Sequence, residues 1–505
     1  MGTQETVSDA SYLAFDLGAE SGRAMLGRLR AGVLDVREVR RFLNEPVRQH
    51  GSLQWDVLRL WHEMGHALDE VAGVKLAGVG VDGWGVDYAL LGERGNLLEN
   101  PYHYRDRRNE GMMEAVFERV SRDRLYAATG IQFLQINTLV QFYAACRLTP
   151  AVVAAARALL TIPDLLNFWL CGRTCSEYTV ATTTQFIDAR ARTWATALLA
   201  ELDMPAALFP EIVQPGTVIG RLGSDCAPAL AGTPLVAPAC HDTGSAVASV
   251  CAGGSTAFIS SGTWSLMGTE TDAPVITPKA QELNFTNEGG VCGSIRLLKN
   301  ITGLWLLQAC RRRWASEQQA LDYDALLSAA GDDRLAFVSL VDPDHHGFLN
   351  PADMPAQIAR YCRQTLQPEP DGPPAFARTI LESLAFKYRV VLESLERLTG
   401  RRFDQIRIVG GGSRNRLLNQ FTADATGRTV LAGPVEATAL GNIAMQMLAT
   451  GAVASLAEAR AVIDRSFPAE RFEPMATDRW DAQYRRFQQY LETVDDPREA
   501  TRAIR

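Results

Sequence analysis

Two aspartates in this chain stand where carboxylates can do chemistry. Asp16 ends a β-prone run (SYLAFDL, 11–17) and is followed by the turn-like GAESG and a second alternating run, RAMLGRL. A strand-end carboxylate beside such a turn can hold Mg²⁺ through water while turn N–H groups meet phosphate oxygens. The plainer reading is an aspartate that stabilises a hairpin turn. Asp242, in ACHDTGSAV, sits between an apolar run (234–239) and a helix start. By default it is an N-cap; held ionised by the helix dipole, it is also suited to accept a proton from a hydroxyl, among amides that favour anions. Two further glycine turns follow, Ser261-Gly262-Thr263 and Gly410-Gly411-Gly412. Two facing glycine hairpins could grip a triphosphate, and a glycine triplet lets the backbone approach a base or sugar that a Cβ would block.

A third pattern points elsewhere. His62-Glu63-Met64-Gly65-His66 matches the H-E-x-x-H signature of zinc proteases. The stripe Val57, Leu60, Trp61, Met64, Leu68 and Val71 puts both histidines on the opposite, solvent-facing side of the helix, beside Asp69. The expectation is a wet helix face rather than a zinc peptidase.

The bulk composition narrows the chemistry. Among 505 residues, 50 Lys+Arg face 58 Asp+Glu, a net charge of −8, so no basic face for nucleic acid is expected. Only four of the basic residues are lysines (Lys75, Lys279, Lys299, Lys387), and none follows a glycine, so there is no P-loop. H-R-D and D-F-G, the marks of a protein kinase, are both missing. No apolar run is long enough to span a membrane, and no signal pattern opens the chain. Met1-Gly2 with Thr6 fits a myristoylation pattern, read as coincidence because no second membrane signal accompanies it. Nine cysteines without zinc spacing are expected to be reduced thiols of a cytoplasmic protein.

The elements that must position these groups alternate between strand and helix, the pattern of α/β layers. A strand is expected at 76–82, helix at 151–172 broken at Pro163, a strand at 406–409, and helices at 414–426 and 436–448. QPEPDGPP (367–374) reads as a surface loop, and Trp480, Tyr484, Phe487, Leu491 and Val494 mark a packed tail helix. Ala14-Phe15 before Gly18–Gly22 is echoed by Ala257-Phe258 before Gly262, a strand–turn–strand phrase that suggests a duplicated architecture. The expected divisions are 1–251, 252–455 and a helical tail, 456–505.

Ten phrases in order now carry a resemblance, from Tyr12 to Gly451: AFDLGAESGRAMLG, VGVDGWGVDYALL, NPYHYRDRR, LQINTLVQFY, LLTIPDLLNFWLCG, EYTVATTTQF, APACHDTGSAVASV, ISSGTWSLMG, LLKNITGLWLLQ and IVGGGSRNRLLNQFTADATG. The chain resembles the FGGY family of carbohydrate kinases. That resemblance implies an α/β fold of two actin-like, ribonuclease-H-like domains flanking a deep cleft, and ATP-dependent phosphorylation of a sugar with Mg²⁺. It implies Asp16 at the metal and Ala19, Glu20, Ser21, Gly22 and Arg23 along the phosphates. Gly85, His241, Asp242 and Thr243 would meet the sugar, with Asp242 as catalytic base. Thr263, Gln308 and Gly411 would meet ATP, and Asn300 the nucleotide or the cleft floor. Gly83 stands where the family phrase would have Thr or Ser, and Gly244 where Ala is common. The phrases of glycerol kinase and xylulokinase are missing near residue 82, which favours a deoxyketohexose over those substrates. The resemblance implies L-rhamnulose as the acceptor, with another ketose or polyol (L-fuculose, ribulose or xylulose) as the alternative. A non-catalytic actin-like nucleotide sensor is the remaining alternative. The protein is expected to be a monomer or homodimer without nucleic-acid or membrane partners.

Overall fold

The computed structural model describes residues 9–250, 254–317, 321–349 and 351–493. The Met1-Gly2-Thr6 pattern, Cys251 and Val494 lie outside them. The chain divides into two units, one of residues 1–252, 270–298 and 436–468, the other of 253–269, 299–435 and 469–505.

In the first unit the strand Ala10–Leu17 is apolar on both faces, and both are covered. Leu13, Phe15 and Leu17 point into a core with Leu60, Met64 and Leu68 of the helix Val57–Glu70 and with Leu165 and Leu166. Tyr12 and Ala14 point the other way, onto Leu440, Ile443, Met447, Val462 and Ile463. Ala10–Leu17 pairs antiparallel with Ser21–Arg30, which pairs antiparallel with Val33–Leu43. On its other side it runs parallel to Gly78–Gly83, itself parallel to Pro234–Ala237, and Thr217–Arg221 closes the edge antiparallel.

The second unit repeats this plan. Thr256–Ser261 and Trp264–Thr271 form the antiparallel hairpin. Thr256–Ser261 runs parallel to Gln405–Val409, which runs parallel to Thr429–Ala432, with Glu470–Phe472 antiparallel at the edge. The expected α/β class and the duplicated hairpin are both present. The tail helix Thr477–Thr493 packs Trp480, Tyr484 and Phe487 onto Phe386 of the long helix Gly372–Thr399.

Three expectations need correcting. The units are not the contiguous segments 1–251, 252–455 and 456–505: the helices Ala437–Ala449 and Leu456–Ser466 belong to the first unit, because their apolar faces complete the core around Tyr12, Met25 and Leu29. Pro163 does not break a helix. A short strand, Ala158–Thr161, separates Pro150–Ala155 from Ile162–Cys171, and Pro163 sits in the first turn of the latter, where its missing N–H costs nothing. The loop at 367–374 ends early, since Gly372 already opens the long helix. The eight described cysteines are all free thiols, and among the described residues no helix is long and apolar enough to cross a membrane.

Candidate active site

Three carboxylates converge at the ends of the parallel strands of the first unit. Asp16 and Asp82 occupy partnered positions on Ala10–Leu17 and Gly78–Gly83. The third strand, Pro234–Ala237, delivers His241 and Asp242 to the same edge, tied there by Gly83 N–H donating to the Cys240 carbonyl at 2.9 Å. Carboxyl ends of parallel strands are where open α/β sheets build ligand sites.

The three differ in what holds them. Asp16 faces Arg23 across the hairpin, and the Arg23 guanidinium bridges it to Glu436. Burial pushes the Asp16 carboxyl up from its ordinary range and Arg23 pulls it back, while Asp242 and Glu436 push it further up. Asp82 is fully buried and takes one hydrogen bond at Oδ2, from the Asn442 amide at 2.6 Å; its Oδ1 has no partner among the described residues. Burial first, and Asp16 second, push Asp82 well above the usual carboxylate range. Asp242 is the accessible one, with its side chain 30% exposed. It is the first residue of the helix Asp242–Ala248 rather than its N-cap, a place taken by His241. Its Oδ1 accepts from the Thr243 N–H at 2.5 Å and the Thr243 hydroxyl at 3.1 Å, leaving Oδ2 open.

Behind this edge lies a buried polar frame. Glu177 accepts from Cys240 N–H (2.9 Å), Thr179 N–H (2.9 Å), the Thr179 hydroxyl (2.6 Å) and Val180 N–H (3.2 Å), and Thr179 Oγ1 in turn accepts from His241 N–H at 3.2 Å. Asp164 accepts from Thr161, Ser176 and the Glu177 N–H. Burial raises Asp164 and Glu177 each to about 7. A carboxyl raised on folding binds its proton more tightly in the native state, so its contribution is fully present below the ordinary carboxyl pKa of about 4 and is lost as pH rises through about 7. Melting temperatures measured between pH 5 and 8 should therefore fall more steeply for the unaltered protein than for Asp164→Asn; parallel curves would show that Asp164 does not titrate there.

The remaining expected site residues of the first unit sit as follows. Ala19 and Glu20 lie in the hairpin turn and Ser21 opens the second strand, with Gly18 N–H donating to the Ser21 carbonyl at 3.0 Å. Gly22 is required by packing, since a Cβ there would run into the Phe42 ring. Gly85 likewise has Thr183 against it, 2.9 Å from where a Cβ would stand. In the second unit, the Gly262 and Thr263 carbonyls accept from Leu304 and Trp305 N–H at 3.1 Å each, which joins the second hairpin to the start of the helix Trp305–Ser316. Gln308 projects from that helix with its Oε1 buried and without a hydrogen-bond partner among the described residues. Gly410, at φ 83°, and Gly412 close over Ser261, and the open side of Gly411 meets nothing within 4 Å. Asn300, half-buried, lies on the strand Ile295–Thr302 that leads into the helix.

The H-E-x-x-H helix is not arranged as a zinc-protease site. His62 and His66 are exposed, as expected, but Glu63 turns inward and is paired with Arg40 and Arg59 at 2.8 Å each. Hydrogen bonding from Arg40 lowers its carboxyl below the ordinary range, and a protease base must instead face a zinc-bound water. Among the described residues no group of three or more His, Cys, Asp or Glu side chains is assembled to hold a metal ion.

The family models for the N-terminal and C-terminal domains of the FGGY family of carbohydrate kinases match residues 11–249 and 257–450. The chain belongs to that family. It is 45% identical over 482 residues to a rhamnulokinase of Bacteroides thetaiotaomicron, covering 94% of this chain and 98% of the relative. To a rhamnulokinase of Pectobacterium atrosepticum it is 42% identical over 483 residues, covering 95% and 96%. Among solved structures it superposes on a gluconate kinase from Lactobacillus acidophilus with a TM-score of 0.78 at 17% identity, covering 96% of this chain and 98% of that one. A Plasmodium falciparum glycerol kinase with ADP gives 0.76 at 15% identity, covering 96% and 98%. As an FGGY member the chain is a carbohydrate kinase that uses ATP.

Asp82, Glu436 and Asn442 escaped the sequence reading. Asp82 had a signal, since it ends an apolar strand as Asp16 does, inside the phrase VGVDGWG. Glu436 and Asn442 had none, because their partners lie 413 and 360 residues away.

Proposed function

We propose that this kinase transfers the γ-phosphoryl group of ATP to the 1-hydroxyl of L-rhamnulose, giving L-rhamnulose 1-phosphate and ADP, in the cytoplasm. What carries the choice of acceptor is the 45% and 42% identity to rhamnulokinases along almost their whole length. Asp242 is the base. Its open Oδ2 takes the hydroxyl proton as the sugar oxygen attacks, and Thr243 keeps the other oxygen occupied. Gly85, His241 and Thr243 hold the sugar.

Phosphoryl transfer passes through a loose transition state, so the protein chiefly positions groups and balances charge. Ala19 to Arg23 line the phosphates, and Thr263, Asn300, Gln308 and Gly411 serve the nucleotide. The unpartnered Gln308 Oε1 and the open face of Gly411 suit that role. Holding donor and acceptor in line can contribute on the order of 7–11 kcal/mol. Asp16 and the unpartnered Oδ1 of Asp82 offer hard oxygen donors at adjacent strand positions, which fits Mg²⁺, an ion that keeps most of its waters. When bound, the ion supplies charge to offset the β and γ oxygens of ATP.

The test is ADP release with a sugar panel. Release is expected to require both L-rhamnulose and Mg²⁺ and to stop on chelation. Equal turnover with L-fuculose, ribulose or xylulose would overturn the acceptor and spare the kinase chemistry.

A further inference from the structure

Glu288 and Arg296 stand directly opposite each other on the antiparallel strands Thr286–Gly289 and Ile295–Thr302. Arg296 is fully buried and Glu288 nearly so, with Arg296 Nη2 3.1 Å from Glu288 Oε2. Removing an ion pair from water costs more than it commonly returns, so stability alone does not account for it. The pair does not end at itself. Arg296 Nε donates to the Gly289 carbonyl at 2.9 Å, and Nη2 also lies 3.1 Å from Nδ1 of His241. The far side of that ring faces the proposed base, with His241 Nε2 3.4 Å from Asp242 Oδ1.

A neutral imidazole carries one N–H, and the group facing each nitrogen decides which one. A guanidinium only donates, so Nδ1 meets Arg296 with its lone pair and the proton resides on Nε2. There it lies 3.4 Å from a carboxylate oxygen, Asp242 Oδ1. Glu288 Oε2 also lies 3.2 Å from Nδ1 and is the rival partner, a carboxylate that would draw the proton to Nδ1 if Arg296 did not occupy it. Burial acts to raise the Glu288 carboxyl, and the Arg296 charge is the largest influence that holds it below the ordinary range, as the arginine's counter-ion.

We infer that Arg296, with Glu288 as its counter-ion, is a positioning residue that fixes His241 in the Nε2–H tautomer. In that form the His241 Nε2–H lies beside Oδ1 of Asp242, which already takes the two Thr243 donors, and Oδ2, which accepts no hydrogen bond from the described residues, is the oxygen left to take the sugar proton. This rests on the reading of Asp242 as base. The same logic governs a catalytic histidine whose tautomer is set by the group behind it, where the wrong tautomer costs rate while the fold is kept.

The experiment uses the full chain labelled with ¹⁵N-histidine, observed through two-bond proton–nitrogen couplings that distinguish the tautomers. The His241 signal is assigned by its disappearance in His241→Gln. The expected result is Nε2–H in the unaltered protein; Nδ1–H there overturns the inference by itself, whatever any variant does. In Arg296→Met the proton is expected to move to Nδ1, toward Glu288, with kcat falling at least ~10-fold and the KM for ATP within about twofold. Glu288→Gln is expected to keep Nε2–H, and a switch to Nδ1–H in it would overturn the counter-ion role. A near-normal rate in Asp242→Asn would remove the base while leaving the tautomer result standing, so the two failures are distinguishable.

Discussion

Asp242→Asn is expected to fold, bind ATP and lose at least ~100-fold in kcat, the lower end of what a general base contributes. The amide can still present an oxygen to the Thr243 N–H and hydroxyl, so the first turn of the Asp242–Ala248 helix keeps its contacts. What it loses is the second carboxylate oxygen, because an NH₂ group cannot accept the hydroxyl proton. Stability should move the other way. Asp242 pushes up the carboxyls of both Asp16 and Asp82, which means that its charge is repelled by theirs. Removing it relieves that repulsion, and the melting temperature is expected to hold or rise. The measurements are a coupled ADP assay, calorimetric titration with ATP and a thermal melt. A near-normal rate would dismiss Asp242 as base. A low rate together with a lowered melting temperature would mean that the substitution damaged the fold instead.

Legibility from the sequence followed locality. The two hairpins could be read because each is a short phrase, an apolar run and a glycine turn, whose chemistry is complete within some twenty residues. The wet face of the H-E-x-x-H helix could be read because a 3.6-residue period fixes which side is exposed without reference to anything distant. Asp16 and Asp242 stood out because each ends an apolar run. The sequence reading failed where function is shared across the chain. Nothing near residue 296 says that an arginine will be buried behind a histidine at 241. Nor does EATALGNIAMQ, at 436–446, say that its helix will complete the first unit's core rather than the second's. An apolar stripe shows that a helix packs, but not on what. Pro163 meets a related limit: proline marks a boundary, and only the flanking strand shows whether it ends one helix or begins the next.

The helix Ala437–Ala449 is where a distant change is expected to do the most harm, and Gly441→Ala is the variant that tests it. Glu436, just ahead of this helix, holds Arg23, and Asn442 holds Asp82; Gln446 donates to the Leu13 carbonyl at 3.0 Å and to Asn442 Oδ1 at 2.8 Å. Gly441 lies against the backbone of Ser245, one turn into the helix that begins with Asp242. A Cβ at Gly441 would stand 2.6 Å from the Ser245 carbonyl carbon, and closer still to its oxygen. Those are backbone atoms and cannot rotate aside, so one helix must shift. Overpacking of this kind commonly costs about 1–3 kcal/mol. The shift also moves Asp242 relative to Asp16 and Asp82, and a displacement of about 1 Å in a reacting group can cost on the order of 100-fold in rate. Gly65→Ala is the matched control. Gly65 is also inside a helix, Val57–Glu70, but nothing lies within 4 Å of its Cβ position. There the substitution should stabilise by roughly 0.5–1 kcal/mol through helix propensity alone and leave kcat unchanged. If Gly441→Ala melts and turns over like Gly65→Ala, the two helices have room that the packing denies, and the helix Ala437–Ala449 does not hold the base in place.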